Sequence, residues 1–398
     1  MMMSERPKVT IGVPAYNGER HIGQAIESLL NQDFPDFELI LSDNGSSDGT
    51  GKICLDYQQK DKRIKYYRYE RNVGLIRNFN RVFEMSSGQY FMWASCDDTW
   101  EKDYISSCME VLEGDPSVVL CYSATNLVND DGSLIRQYDD KFLVDHDSGS
   151  QRYLNLIWGL DLCNCLHGLI RSSALSCTRL MQDNVGASDC VLLAELALKG
   201  KFIQLQKPMF NRKRLQRIET LEQRHARLES MCSPHILNKG ISLPFCNMIK
   251  AHVDVIKHSS LDMSEKNDLI PETYRCMEAR YKQQIQFEVQ RAVKLIIMGL
   301  FQQCWGKPTE SRNSSPGHKA VEQAYICDLL ASMNYALFLL PHYPGLHYAR
   351  AVLLIELGRL EEARLALSQE MERHPDIAAA RTLFQRLDTY LRERRANG

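Results

Sequence analysis

The first two hundred residues alternate between strand-like and helix-like segments, and this alternation restricts the fold more than any other feature of the sequence. Residues 8–13, KVTIGV, have the continuous apolar pattern of a buried strand, and residues 19–32 carry apolar side chains at helical spacing. Further strands are predicted over residues 37–42, 63–70 and 90–94, with helices between them. Repeated strand–helix units predict an α/β fold with a Rossmann-like, mostly parallel sheet and helices on both faces.

Three of these predicted strands end in polar segments. The segments are PAYNGE at residues 14–19, SDNGSSDGT at residues 42–50 and SCDD at residues 95–98. Because ligands of such sheets bind at the carboxyl ends of the strands, we expect all three segments to line one crevice.

The side chains of this crevice have complementary chemistry. Tyr16 could stack on a base, and Asp43 could accept hydrogen bonds from a base or a ribose. Asp97 and Asp98 could share a divalent cation, since Mg2+ and Mn2+ prefer carboxylate oxygens and often bridge to phosphates. Each segment alone also fits a plainer role as a helix cap, a packing aromatic or an acidic first turn of a helix. Their occurrence at successive strand ends favours a ligand site.

The balance of charge and the cysteine pattern exclude several classes of protein. The chain of 398 residues has 48 basic and 50 acidic side chains, and a net charge of -2 predicts no nucleic-acid partner. Its 13 cysteines include no CxxC pair, so we expect reduced thiols rather than a zinc ribbon or a disulfide scaffold.

The apolar segments predict where the protein is found. No apolar segment precedes the first strand, so we expect no secretory signal. The strongest late apolar run, residues 292–301, contains a lysine and is too short to span a bilayer. We therefore expect a cytoplasmic protein, and peripheral contact with the inner face of the cell membrane stays open.

Two stretches of the sequence together resemble the family-2 glycosyltransferases, which have the GT-A fold. They are VTIGVPAYNGERHIGQAIESLLNQDFPDFELILSDNGSSDGT at residues 9–50 and GQYFMWASCDD at residues 88–98. The resemblance implies an inverting enzyme that transfers a sugar from a nucleoside-diphosphate sugar donor, with Mg2+ or Mn2+ as cofactor. Glycan, lipid-linked and protein acceptors are all open, and association with the family favours surface polysaccharide assembly.

The resemblance also assigns residues of the donor site. Carried over by position, Pro14, Ala15 and Tyr16 meet the nucleotide with Glu19 in the same segment, Asp43 meets the base or ribose, and Asp97 and Asp98 hold the metal and diphosphate. Two positions depart from the family pattern. Ser95 stands where many members have the first acid of the metal motif. Phe79 stands where an arginine is usual, so Arg77, two residues earlier, is the candidate phosphate partner.

Two later segments supply candidates for the transfer step. Inversion needs a general base, and the family places this acid at the start of a late helix, where Asp189 stands. A plainer reading is that Ser188 or Asp189 caps that helix. In the basic run at residues 211–217, Arg212 and Arg214 could bind the diphosphate through their guanidinium groups, although a solvated strand edge fits the run equally well.

Beyond about residue 220 the pattern becomes helical, which predicts an all-α C-terminal region. We divide the chain into a catalytic domain at residues 1–220, a helical extension at 221–305, a linker rich in Gly, Pro and Ser at 306–319, and a helical region at 320–398. Pro341 and Pro375 are thirty-four residues apart, the period of the tetratricopeptide repeat, which this last region resembles. It could dock a protein partner or simply complete the fold.

Two other functions compete with the glycosyltransferase hypothesis. Because the first acid of the metal motif is missing at Ser95, the protein could be a degenerate nucleotide-binding scaffold that docks proteins through its helical repeats. A nucleotidyltransferase on a similar sheet is less well supported, because no phosphate-binding loop rich in glycine follows the first strand.

Overall fold

The structure is a computed structural model, and it describes residues 6–140, 142–213, 219–231, 242–296 and 316–396. The chain forms two compact units. The first unit comprises residues 1–183, 187–234 and 252–276, and the second comprises residues 184–186, 235–251 and 277–398. The domain boundaries predicted from the sequence remain predictions.

The sheet of the first unit begins with four parallel strands. These strands are β1 (Val9–Ala15), β2 (Phe37–Asp43), β3 (Ile64–Arg68) and β4 (Tyr90–Trp93), in the spatial order β3-β2-β1-β4. Every residue of β1 and β2 is buried, which explains their almost uninterrupted apolar sequences. This part of the sheet has the predicted parallel arrangement.

The second half of the sheet is mixed. It contains β5 (Thr99–Trp100), β6 (Val118–Val128), β7 (Leu134–Tyr138), β8 (Leu169–Arg171) and β9 (Lys201–Lys213). Strand β8 lies antiparallel between β4 and β6, whereas β6 and β9 are parallel. Strand β7 returns on β6 through a short turn, and a hairpin of this kind makes the pair antiparallel. The expectation of a mostly parallel sheet therefore describes β1 to β4 better than the later strands.

Several helices belong to the first unit. They are α1 (Ile22–Leu30), α2 (Thr50–Lys60), α3 (Leu75–Glu84), α4 (Tyr104–Gly114), α5 (Gly149–Gly159), α6 (Ser172–Leu175), α7 (Ser188–Lys199) and α8 (Leu221–Met231). In α1 the buried face consists of Ile22, Ala25, Ile26 and Leu29, which are spaced three or four residues apart. The same spacing predicted this helix from the sequence.

The C-terminal region is helical, as predicted. Its elements are α9 (Pro244–His258), α10 (Met263–Leu295), α11 (Pro316–Leu339), α12 (Leu346–Glu356), α13 (Leu360–Arg373) and α14 (Ala378–Ala396). Helix α11 begins inside the segment predicted as a linker, whose earlier part, residues 306–315, lies outside the described residues. Gly358 has φ +72 between α12 and α13, a conformation that glycine adopts without strain.

At the starts of two helices of the second unit, main-chain N–H groups donate hydrogen bonds to a buried glutamate of a later helix. Glu370 of α13 is fully buried and accepts hydrogen bonds from the main-chain N–H groups of Gly345 (2.8 Å) and Tyr348 (3.1 Å) at the start of α12. Glu288 of α10 likewise accepts from the N–H of Phe245 at 2.9 Å, at the start of α9. A carboxylate satisfies the otherwise unpaired N–H groups of a helix start and suits its positive end.

No described helix is both long enough and apolar enough to span a membrane.

Candidate functional site

The segments that follow β1, β2 and β4 lie side by side in the first unit. Ala15 and Asp43, the last residues of β1 and β2, are paired across the sheet. The N–H of Asn44 donates to the carbonyl oxygen of Ala15 over 2.8 Å. On the other side, the main-chain N–H of Tyr16 is hydrogen-bonded to the sulfur of Cys96. The three polar segments thus lie side by side, and that they line one crevice remains a prediction.

Hydrogen bonds fix the segment after β1 against the start of α2. The N–H of Gly18 donates to the hydroxyl of Thr50 over 2.8 Å, and the carboxylate of Glu19 accepts from the N–H of Gly49 over 2.9 Å. Pro14 lies one residue before the end of β1. The side chain of Tyr16 remains 48% exposed beside this ordered segment, an accessible position for stacking on a planar ligand.

Asp43 is fully buried at the end of β2. One carboxylate oxygen accepts from the N–H of Ser46 (2.8 Å), and the other accepts from the hydroxyl of Tyr66 (3.0 Å). The Nε atom of Arg68 lies 3.5 Å from that second oxygen. Asp43 therefore orders the segment after β2 through its own protein contacts.

A cleft of about 500 Å³ surrounds the paired acids, and we call it the Asp98 cleft. It is lined by Ser95, Asp97, Asp98, Leu127, Arg136, Asp161, Leu162, His167, Arg212, Lys213 and Arg227. Three of these side chains are carboxylates and four are cations. A surface of this kind suits a ligand that carries phosphate groups together with a metal ion.

Asp98 is the deeper of the two adjacent acids, with 4% of its surface exposed. Burial and the neighbouring charge of Asp97 raise the pKa of Asp98 to about 7, although the N–H of Lys213 donates to its carboxylate over 2.8 Å. Asp97 accepts a hydrogen bond from the hydroxyl of Ser95. The protein groups thus leave part of the negative charge uncompensated, and these carboxylates fit a divalent cation such as Mg2+ or Mn2+.

The cations of the cleft are held from several elements. The guanidinium of Arg212 donates to the carbonyl oxygen of Leu162 and, over 2.6 Å, to the side-chain oxygen of Asn164. The ammonium of Lys213 donates over 2.7 Å to Nδ1 of His21, at the start of α1. Arg214, predicted as a second diphosphate ligand, lies outside the described residues.

His167 also lines the cleft. Its Nδ1 lies 3.0 Å from the carbonyl oxygen of Trp93, so Nδ1 carries the proton and Nε2 is the acceptor. Burial and the charge of Arg212 lower the pKa of His167 to about 4. The ring packs beside Trp100 and Phe210, which fixes its orientation.

Of the predicted site residues that the structure describes, Asp189 and Arg77 belong neither to the three strand-end segments nor to the lining of the Asp98 cleft. Asp189 is partly exposed in the first turn of α7, where its carboxylate lies within 4.8 Å of the thiols of Cys163 and Cys190. Arg77 is exposed on α3. Their predicted roles as general base and phosphate partner remain predictions.

Arg136, Asp161 and Arg227 line the cleft but were missed from the sequence. Arg136 lies on the short strand β7, and Asp161 accepts a hydrogen bond from the hydroxyl of Tyr138 over 3.0 Å. Arg227 belongs to α8 and forms an ion pair with Glu219. None of these segments has a motif, and the charge of each residue fits an ordinary surface side chain equally well.

Comparison with known proteins identifies the family of this domain. Residues 10–175, somewhat under half of the chain, match the family described as Glycosyl transferase family 2. This segment is a family-2 glycosyltransferase domain. The family predicted from the resemblance is thereby confirmed.

Two curated relatives of the glycosyltransferase domain are bacterial proteins. TuaG of Bacillus subtilis (strain 168), assigned to teichuronic acid biosynthesis as a glycosyltransferase, is 30% identical over 142 residues, which are 36% of this chain and 54% of TuaG. The GalNAc(5)-diNAcBac-PP-undecaprenol beta-1,3-glucosyltransferase of Campylobacter jejuni is 30% identical over 138 residues, 34% of this chain and 44% of that protein. The chain thus spans about half the length of these relatives.

Solved structures support the fold of the whole chain. The crystal structure of S. aureus TarS 1-349 covers 97% of this chain and 91% of its own, with a TM-score of 0.53 and 16% sequence identity. A similarity at this level of identity concerns the fold. The chain therefore has the GT-A fold followed by a helical C-terminal region, as predicted from the sequence.

Proposed function

We propose that the protein is an inverting glycosyltransferase that transfers a sugar from a nucleoside-diphosphate sugar to a hydroxyl acceptor, in polysaccharide or glycan assembly. The observation that carries this proposal is the pair Asp97 and Asp98 in a cleft lined by four cationic side chains. The family of residues 10–175 supports the same conclusion. Catalysis at such a site would depend mainly on positioning and electrostatic stabilisation.

The donor would lie along the strand ends that meet at β1 and β2. Tyr16 is exposed there and would stack on the base, Pro14 and Ala15 end the strand before it, and Glu19 holds the adjoining segment. TarS, which shares the fold, has been crystallised with UDP and with UDP-GlcNAc. We therefore expect a uridine donor to be the first to test, while a guanosine donor fits the same side chains.

Asp97 and Asp98 would hold Mg2+ or Mn2+, which would supply positive charge for the departing diphosphate. Arg212 lies in the same cleft, and its planar guanidinium can donate two parallel hydrogen bonds to phosphate oxygens. The ammonium of Lys213 adds a further positive charge. We propose Arg77 and Arg214 as additional diphosphate ligands on the strength of their sequence positions.

Asp189 is the proposed general base. Its carboxylate would take the proton of the acceptor hydroxyl while the acceptor oxygen bonds to the anomeric carbon and the bond to the diphosphate breaks on the opposite face. The position of Asp189 in the first turn of α7 and its partial exposure support this role. Its carboxylate also lies within 4.8 Å of the thiol of Cys163, the residue after Leu162, which lines the Asp98 cleft.

The acceptor and the partners remain predictions. Glycan, lipid-linked and protein acceptors all offer the required hydroxyl group. The C-terminal helices are proposed to dock a protein partner, and a cytoplasmic site with peripheral contact at the inner face of the membrane is proposed from the sequence.

Calorimetric titration tests the proposal directly. The protein is titrated with UDP, GDP, CDP and dTDP, with and without Mn2+, and the titration is repeated on Asp98→Asn. We expect one nucleotide to bind in a metal-dependent manner and to lose that dependence in the variant. Asp103→Asn is the matched control, because Asp103 pairs with Lys207 and does not line the cleft.

Turnover separates an enzyme from a nucleotide-binding scaffold. A glycosyltransferase releases nucleoside diphosphate from the donor that it binds, whereas a scaffold binds the nucleotide without releasing product. Absence of nucleotide binding under every condition would contradict both functions.

A further inference from the structure

Two cysteines and Asp189 form a cluster that the donor site does not use. The sulfur atoms of Cys163 and Cys190 lie 3.3 Å apart, and a carboxylate oxygen of Asp189 lies within 4.8 Å of both. Cys163 has a left-handed backbone conformation, with φ 54, directly after Leu162 of the Asp98 cleft. Asp189 and Cys190 belong to the first turn of α7. Two separate parts of the chain thus present three ligand atoms to one point.

We infer that Cys163, Asp189 and Cys190 form a binding site for a soft divalent cation such as Zn2+. Two thiolates and one carboxylate are ligands that zinc accepts, and three protein ligands leave a fourth position open to water. The site differs in chemistry from the pair Asp97 and Asp98, whose oxygen atoms suit Mg2+ or Mn2+.

The separation of the sulfur atoms favours a metal over a disulfide. Two thiolates on one tetrahedral zinc ion lie roughly 3.8 Å apart, given Zn–S bonds of about 2.3 Å. A disulfide instead requires about 2.05 Å between its sulfur atoms. Starting from the observed distance of 3.3 Å, zinc binding requires the two sulfur atoms to move apart by about 0.5 Å. A disulfide requires them to move closer by about 1.2 Å.

Metal binding here needs no oxidant. The cysteines that the structure describes are free thiols, and Cys190 is partly exposed. Binding would form two metal–sulfur bonds and one metal–oxygen bond, and the two thiol protons would pass to the solvent. The total charge and the number of atoms are conserved in this exchange.

Such a site would regulate transfer, and this consequence rests on the proposed function. A cation held by Asp189 would occupy the lone pair that takes the acceptor proton. Zinc would then inhibit the enzyme by removing its general base, while donor binding at Asp98 would continue.

Cobalt titration of the full chain tests the site itself. Co2+ bound to thiolates gives an intense near-ultraviolet charge-transfer absorption, which oxygen ligands do not produce. We expect this absorption to saturate at one equivalent, to disappear in Cys163→Ser and in Cys190→Ser, and to persist in Cys177→Ser, which removes an exposed thiol outside the cluster. Asp189→Asn should weaken Co2+ binding by at least about tenfold, because mutating even a residue that only hydrogen-bonds to a metal ligand lowers metal affinity by that factor.

Alkylation of the unaltered protein provides a test that does not depend on the folding of a variant. Zn2+ should slow the reaction of Cys163 and Cys190 with iodoacetamide, and should leave the rate at Cys177 unchanged. Absence of the charge-transfer absorption together with equal alkylation rates would overturn the inference. Recovery of Cys163 and Cys190 as a disulfide from protein purified with a reductant would overturn it as well.

Donor turnover distinguishes failure of this inference from failure of the proposed function. Inhibition by zinc of the wild type but not of Cys163→Ser would support both the metal site and the proposed function. Thiolate-bound Co2+ without any inhibition would support the metal site and contradict Asp189 as the base. Active enzyme without thiolate-bound Co2+ would overturn the metal site alone.

Discussion

The main-chain N–H of Lys213 donates a 2.8 Å hydrogen bond to the carboxylate of Asp98, which is 115 residues earlier in the chain. This bond fixes the end of β9 beside the acids that follow β4. Because Arg212 and Lys213 are adjacent, the same bond places both cationic side chains at the Asp98 cleft. This contact between two strand ends therefore places Asp98 next to Arg212 and Lys213.

Asp98→Asn should lower donor turnover by at least about a hundredfold, because the amide cannot hold a cation with the strength of a carboxylate. The same variant should not be less stable at pH 8 when metal is absent. Burial raises the pKa of Asp98 to about 7, so the folded protein is more stable with this carboxyl protonated. That stability is present at low pH and is lost as the pH rises through about 7, whereas the uncharged asparagine side chain has no such loss. Thermal unfolding and product release measure the two effects. Asp103→Asn should change neither strongly, and an active Asp98→Asn would contradict the proposed metal site.

Arg212→Lys should reduce kcat by about tenfold to a hundredfold. A lysine carries the charge but cannot bond the carbonyl of Leu162 and the side chain of Asn164 while facing the diphosphate. We expect a smaller change in the KM for the donor. Steady-state kinetics test this, with Arg359→Lys, an exposed residue that pairs with Glu362, as the control. Equal kcat in both variants would remove Arg212 from the transfer step.

Asp43→Asn should weaken nucleotide binding and lower the free energy of unfolding by about 1–3 kcal/mol. The amide cannot accept from Ser46 and Tyr66 and also balance the charge of Arg68. Calorimetry and thermal unfolding measure the two changes. Tyr66→Phe removes one hydrogen bond and keeps the carboxylate, so its nucleotide affinity should be retained. If Tyr66→Phe weakens binding to the same extent, Asp43 acts by ordering the segment after β2 rather than by contacting the nucleotide.

His167 should destabilise the protein at acid pH. Its pKa is lowered to about 4 by burial and by Arg212, so the unfolded chain binds the proton more readily between about pH 6.5 and pH 4. The stability provided by the neutral ring is complete above that window and is lost as the pH falls, by about 2 kcal/mol at pH 5. His167→Asn should show a smaller decrease in Tm between pH 7.5 and pH 5 than the wild type. Identical decreases would contradict the assignment.

The parts of the fold that could be predicted are those with regular spacing. The apolar pattern of β1 and the face of α1 are local signals, so both elements were found close to their observed bounds. Strand β8, Leu169–Arg171, is too short for any periodicity and is defined by its pairing with β4 and β6. Proline and glycine near residue 316 suggested a linker, whereas the described residues from Pro316 onward belong to α11.

The candidate site follows the same division. Asp97 and Asp98 were predicted as site residues because they follow a strand at the edge where ligands bind. The contact between Cys163 and Cys190 could not be found, because the two residues are 27 positions apart and meet only through tertiary structure. Arg136 reaches the cleft from an edge strand whose position depends on the hairpin with β6.

The glutamates that accept hydrogen bonds at the starts of α9 and α12 impose an order on folding during synthesis. A ribosome delivers the chain from its N-terminus, so the N–H groups at the start of α12 emerge 25 residues before the acceptor that they require, Glu370. For α9 the interval between Phe245 and Glu288 is 43 residues. Neither helix can complete its first turn in the native manner until a later helix has left the exit tunnel. The C-terminal half is therefore expected to mature after translation has passed these carboxylates, and fragments that end before Glu370 should leave α12 with unpaired N–H groups.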